Sequence, residues 1–267
     1  MSNKVEVKQD SQTHKEYLRI LDAFRRMVYN FENSAERLDV FDDIITLRAS
    51  FLIDRILAGL HIDFDKAIAI LQAGNNNLTQ RDELERDTLV AAFDNIVDFA
   101  AAEEVAMMQE LPEELDLTQM EQYEDVCRKY NEVYAEAEND IVSQSAVVAL
   151  FWMGTSLDTI ITFNTQSDER VRPWHLSYEG VSYLKSEFPP ELIPPIEWGC
   201  RCFLTSGGFG GIMASVLKPE IKTNAIFKES LATGGRIFSD AHPYFQVPIS
   251  SKVKAIKQRL KTKLCLN

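Results

Sequence analysis

Thr159-Ile160-Ile161-Thr162-Phe163 decides the fold class of this 267-residue chain. All five residues are β-branched or aromatic and the run is short, so it predicts a strand. It also stands where the chain changes character. Upstream of Trp152 the apolar residues recur at three- and four-residue spacing; downstream, prolines and glycines become frequent, and eight of the nine prolines lie beyond residue 150. Long helices are therefore expected before that point and short elements joined by turns after it. The fold class that follows is α+β: a helical N-terminal region, then a compact α+β domain with a small sheet.

Working back from the strand, Leu18, Leu21, Phe24 and Val28 mark a first helix. Val40, Ile44, Leu47, Phe51, Ile56 and Leu60 mark a second, for which Gly59 and His61-Ile62-Asp63 read as the stop. Asp63 is placed to cap a short helix through Leu71, ending in the turn signal Ala73-Gly74-Asn75-Asn76-Asn77. Thr79 with Asp82 and Glu83 reads as a capping box opening a helix towards Met108, which Pro112 breaks. Thr118 with Glu121 reads as a second box, before a long helix through Val126, Tyr130, Val133, Ile141 and Ala149.

Charge is unevenly spread. Residues 1–150 hold 14 Lys+Arg against 31 Asp+Glu, a net of −17, and residues 151–267 carry a net of +4. The acidic part is unsuited to phosphate contact and suits a basic protein surface or simple solvation. An apolar content of 45% supports a real core. No apolar run reaches the roughly 18–20 residues that a span requires, so no membrane partner is expected. The opening MSNKVEVKQDSQTHKEY lacks a signal-peptide core, which points to a cytoplasmic setting. Four cysteines make no disulfide framework and are expected as reduced thiols. The expected organisation is an acidic helical region over 1–150, an α+β domain over 151–250 and a basic amphipathic helix over 251–267. In that last helix Val253, Ile256, Leu260 and Leu264 form one stripe among six Lys and Arg. It suits nucleic acid, an acidic partner or the acidic N-terminal region of its own chain.

Forward of the strand lies DERVRPWHLSYEGVSYLKSEFPPELIPPIEWGCRC, Asp168 to Cys202, the densest run of chemically special residues. Arg170 and Arg172 beside His175 have the groups for bidentate binding of phosphate or carboxylate. With His242, His175 and Arg172 would make the acid/base set of a metal-independent nuclease or toxin-like domain. Equally, the arginines would pin the loop by binding Asp168, Glu169 or backbone carbonyls. Cys200 and Cys202 offer two zinc ligands, with His175 and then His242 or Asp168 to complete four. The second cysteine pair of the usual structural site is missing. Buried reduced thiols on one face of a strand, with no required cofactor, are the expectation. The glycines at 207, 208, 210 and 211 lack the Lys-Ser/Thr of a phosphate loop and read as a connector.

The order Asp168-x-Arg170-Val171-Arg172-Pro173-x-His175, Gly180, Pro194-Pro195, Trp198-Gly199-Cys200-Arg201-Cys202 resembles the phage minor head proteins of the Mu F type, the head-morphogenesis proteins. Asn224, Phe227, Gly234-Gly235-Arg236-x-Phe238 and His242-Pro243-Tyr244-Phe245 continue the pattern. The resemblance covers roughly residues 146–247. It departs from the pattern at Tyr183–Phe188 and at the glycine-rich insert Ser206–Gly211. It implies a minor head protein of a tailed bacteriophage or prophage that associates with the portal and acts in capsid assembly. Such a protein resides in the virion, inside or at the portal vertex of the head, and in the host cytoplasm during assembly. Its implied partners are portal and capsid or scaffold proteins, with weak DNA contact through the basic tail.

Overall fold

The computed structural model describes residues 11–73, 78–112, 114–207, 212–213 and 223–266. Among them, regular structure before residue 155 is helical. It comprises α1 (Gln12–Tyr29), α2 (Ser34–Leu60), α3 (Phe64–Gln72), α4 (Gln80–Gln109) and α5 (Met120–Arg128), then a π-helical stretch, Lys129–Tyr134, leading into α6 (Ala135–Met153). Strand β1 (Ile160–Asn164) follows, then a one-turn α7 (Pro173–Leu176), β2 (Val181–Leu184), β3 (Phe203–Ser206), β4 (Ile212–Met213) and finally α8 (Ser251–Lys263). This is the α+β class that the sequence predicts.

Local chemistry explains most of the boundaries. Asp63 accepts from the Lys66 N–H at 2.8 Å and opens α3. Thr79 and Asp82 exchange reciprocal bonds of 3.1 and 3.2 Å, the capping box that opens α4. The anticipated box at Thr118 is not formed. Asp116 takes the Thr118 N–H at 2.9 Å, a 3-10 turn results, and α5 starts without a side-chain cap. Gly59 does not stop α2 either. His61 does, at φ 56° in the left-handed region, in a Schellman arrangement where Ile62 N–H reaches Leu57 O and His61 N–H reaches Ala58 O. Gly59 serves packing instead: a Cβ there would lie 2.6 Å from the Ala146 Cβ. Leu18, counted in the apolar stripe of α1, is 49% exposed, and Tyr17 and Ile20 take the buried face. The turn at 74–77 and the glycines at 208, 210 and 211 lie outside the described residues.

Two compact units are present, and each draws segments from both sides of residue 150. The first comprises Met1–Arg55, Phe93–Asp140 and Pro243–Asn267. Buried in it are Ile20, Phe24, Met27, Ile44, Ile45, Phe99 and Met107 and, along α8, Val253, Ile256, Leu260 and Leu264. It also holds a buried polar cluster. Arg48, 2% exposed, donates to Glu103 at 2.6 Å, Glu138 at 2.9 Å and Asn139 at 2.8 Å. Asn139 donates to Thr13, and the Tyr244 hydroxyl donates to Glu138 at 3.0 Å. Burial works against the Arg48 charge, but Glu103 and Glu138 outweigh it and hold the guanidinium above its ordinary range. Glu104, fully buried beside Glu103, is pushed up to about 8 by burial and by that neighbour.

The second unit comprises Ile56–Ala92 and Ile141–His242. Its sheet has the order β3-β1-β2-β4, with β1 antiparallel to β2 and β3, and the two-residue β4 parallel to β2. Ile161 and Phe163 are fully buried, with Phe163 opposite Leu204. On the other face Thr162 and Ser182 share a hydroxyl bond of 2.8 Å. Tyr178, Phe188, Leu192, Ile193 and Ile196 complete an apolar cluster that also contains Cys200 and Cys202.

Candidate functional site

Pro173 occupies the first position of α7, where its missing N–H costs nothing and its fixed φ suits the turn. The single turn delivers His175, 2% exposed, to the core cluster. There its Nδ1 lies 3.3 Å from Cys202 Sγ. Its Nε2 lies 3.4 Å from Glu197 Oε2, outside hydrogen-bonding geometry, so that this buried nitrogen has no hydrogen-bond partner. The two thiols are buried, as expected, but not on a strand: Cys200 and Cys202 immediately precede β3. Gln144 on α6 fixes this segment by donating to the Cys202 carbonyl at 2.8 Å. Hydrogen bonding from Cys202, aided by His175, holds the Cys200 thiol below its ordinary range; Cys202, which keeps the shared proton, is pushed up.

Arg172 and Arg201 are engaged with the surrounding loops. Arg172 donates to the Trp198 carbonyl at 2.8 Å and lies 3.3 Å from Glu197. Arg201 forms a two-pronged pair with Asp168 at 2.7 and 2.6 Å and holds that carboxyl below its ordinary range. Asp168 also accepts from the Arg170 N–H. Glu197 is the residue that sequence reasoning passes over. It gathers Arg172, Trp174 Nε1 (3.1 Å) and His175 around one carboxylate. Only its place just before Trp-Gly-Cys hinted at a role.

Trp198 links the two halves of the motif. Its ring stacks on Phe238 at 5.8 Å and meets Phe227 and His242 edge-on at 5.1 and 5.8 Å. Pro194, Pro195 and His242 are buried, and burial lowers His242 to about 4, so that it is neutral near pH 7. Gly180 (φ 76°) donates to the Phe163 carbonyl and Gly199 takes φ 65°, conformations that favour glycine. Tyr244 and Phe245 lie against Phe99 in the first unit. Beside His175 and Cys202 the open space is about 10 Å³, bordered by Arg170, Arg172, Gly199 and Arg201. That volume admits about one water and no nucleotide.

The basic tail engages its own chain. Within the first unit Lys257 pairs with Asp98, Lys261 with Asp94 and Asp98, and Arg259 with Asp42. Lys252, Lys254 and Lys263 remain exposed. No described helix is long and apolar enough to cross a membrane.

No protein-family model matches the chain, and no solved structure matches it. A protein of Methanocaldococcus jannaschii, itself uncharacterized, is 44% identical over 45 residues. That stretch is 17% of this chain and spans only 7% of the archaeal protein's length.

Proposed function

We propose that the protein is a structural head component of a tailed bacteriophage or prophage, a minor head protein of the Mu F-like kind that binds the portal and acts in capsid assembly. The observation that carries this reading is how the motif residues are used. Asp168 holds Arg201, Arg172 holds the Trp198 carbonyl, His175 meets Cys202, and His242 packs on Trp198. These residues fasten loops to one another around a space of about 10 Å³. A nuclease using His175, Arg172 and His242 would need those groups free to reach a phosphodiester. The partners are portal and capsid or scaffold proteins, and the place is the virion head at the portal vertex. The helical region, with its net charge of −17, is the surface for a basic partner. The exposed lysines of α8 supply at most weak contact with packaged DNA.

Co-expression with a portal protein of a tailed phage tests the reading. The expected result is co-purification with portal rings, no cleavage of RNA or DNA, and particle formation retained in a folded His242→Ala variant. Metal-free cleavage abolished in both His175→Ala and His242→Ala would overturn it.

A further inference from the structure

We propose that His175, Cys200 and Cys202 form a binding site for one zinc-class divalent cation, with the fourth coordination position taken by solvent. The three side chains converge from α7 and the segment before β3, and their ligand atoms all lie within 4.8 Å of one another. Bond lengths of about 2.3 Å to sulfur and 2.0–2.1 Å to nitrogen, at tetrahedral angles, place the ligand atoms about 3.5 Å apart. The observed 3.3 Å between His175 Nδ1 and Cys202 Sγ is already close to that spacing.

The second ring nitrogen supplies an independent observation. His175 Nε2 is buried without a hydrogen-bond partner, and a carboxylate oxygen, Glu197 Oε2, lies 3.4 Å away. A histidine that ligates through Nδ1 carries its proton on Nε2, and metal-bound imidazoles almost always donate that proton to a carboxylate or carbonyl. A small turn of the ring toward the cation would complete this bond. Glu197 is held for the purpose by Trp174 Nε1 at 3.1 Å and by Arg172.

Charge and space agree. Two thiolates cancel a divalent cation, so the loaded site is neutral and fits the apolar cluster of Ile161, Phe163, Tyr178 and Leu204 around it. The opening of about 10 Å³ beside His175 and Cys202 holds one water, the fourth ligand. The second cysteine pair of a closed structural site is therefore not required: one imidazole from a single helical turn and one solvent molecule replace it. The site does not depend on the proposed role in head assembly, and its test needs no phage partner.

The full chain, purified under reducing conditions without chelator, is expected to carry about one zinc per chain by elemental analysis. Exchange for cobalt should produce the thiolate-to-cobalt charge-transfer band and the visible bands of a tetrahedral ion. Cys200→Ser and Cys202→Ser should lose both signals, and Cys127→Ser, whose thiol is buried in the other unit, should keep them. If the cysteine variants do not fold, Glu197→Gln retains all three ligands and should lose zinc to a competing chelator at about 10–100-fold lower chelator concentration. The proposal is overturned if folded wild-type protein binds no zinc and gives no charge-transfer band with cobalt. Zinc retained equally by Cys200→Ser and Cys202→Ser would overturn it as well.

Discussion

Replacing Arg48 with methionine should cost the helical unit more than any single apolar truncation of comparable size. The guanidinium is 2% exposed and is shared among Glu103, Glu138 and Asn139. Methionine fills most of the stem volume, so little of the loss is cavity. What remains is Glu103 and Glu138, both almost fully buried, with no cation between them. Removing one partner of a buried ion pair costs about 3–5 kcal/mol. At about 2–4 °C per kcal/mol for chains of this size, the melting temperature should fall by roughly 10 °C. Circular dichroism melts measure it. Adding Glu103→Gln and Glu138→Gln to Arg48→Met should recover much of the stability, since an uncharged cluster needs no cation. A melting temperature within 2 °C of wild type for Arg48→Met alone would refute the reasoning, because it would mean that the carboxylates reach water.

Glu104 has its folded pKa raised to about 8 by burial and by Glu103, against an ordinary 4.5. Its contribution is complete below about pH 4.5 and is lost as pH rises towards 8; Glu104→Gln should flatten that decline in urea titrations across the window, and an unchanged slope would count against it. His242 titrates the other way: burial lowers it from 6.5 to about 4, so its contribution is present above pH 6.5 and is lost as the pH falls towards 4. The loss is on the order of 3 kcal/mol, and a folded His242→Gln variant should show a shallower acid transition. Gly59→Ala should destabilise by about 1–3 kcal/mol despite its better helix propensity, since the new Cβ meets Ala146 at 2.6 Å. Adding Ala146→Gly should restore most of the loss, and a Gly59→Ala protein more stable than wild type would show that the helices separate freely.

What the sequence revealed follows the range of the interactions concerned. Asp63 and the Thr79–Asp82 pair were legible because a cap is settled within three residues. Strand β1 was legible because β-branching acts residue by residue. The Thr118 box failed through a competitor equally near, Asp116, two positions upstream. Long-range partners left no trace. Arg48 reads as one more charge on a helix rich in Asp and Glu, and only three-dimensional packing makes it the centre of a core. Glu197 is inconspicuous for the same reason: its partners stand 22 to 25 positions away. In the motif, the reading that Arg172 pins a loop through a backbone carbonyl matches the observed bond to Trp198. The grouping of His175 with both thiols was open to the sequence as one candidate ligand set, and the fold brings the three within 4.8 Å of one another.

The three-segment composition of the first unit sets an order of events during synthesis. Its opening helices, the central segment bearing Glu103 and Glu138, and the strip bearing Tyr244 and α8 are separated by Ile56–Ala92 and Ile141–His242. At ~5–20 residues per second, the chain between Arg55 and Pro243 takes roughly 10–40 s to emerge. Until that interval ends, the first unit lacks the buried stripe of α8, and Glu138 lacks the phenol that later donates to it. The second unit ends at His242, so its parts are all made before that last strip, and the helices translated earliest belong to the unit whose chain is completed last.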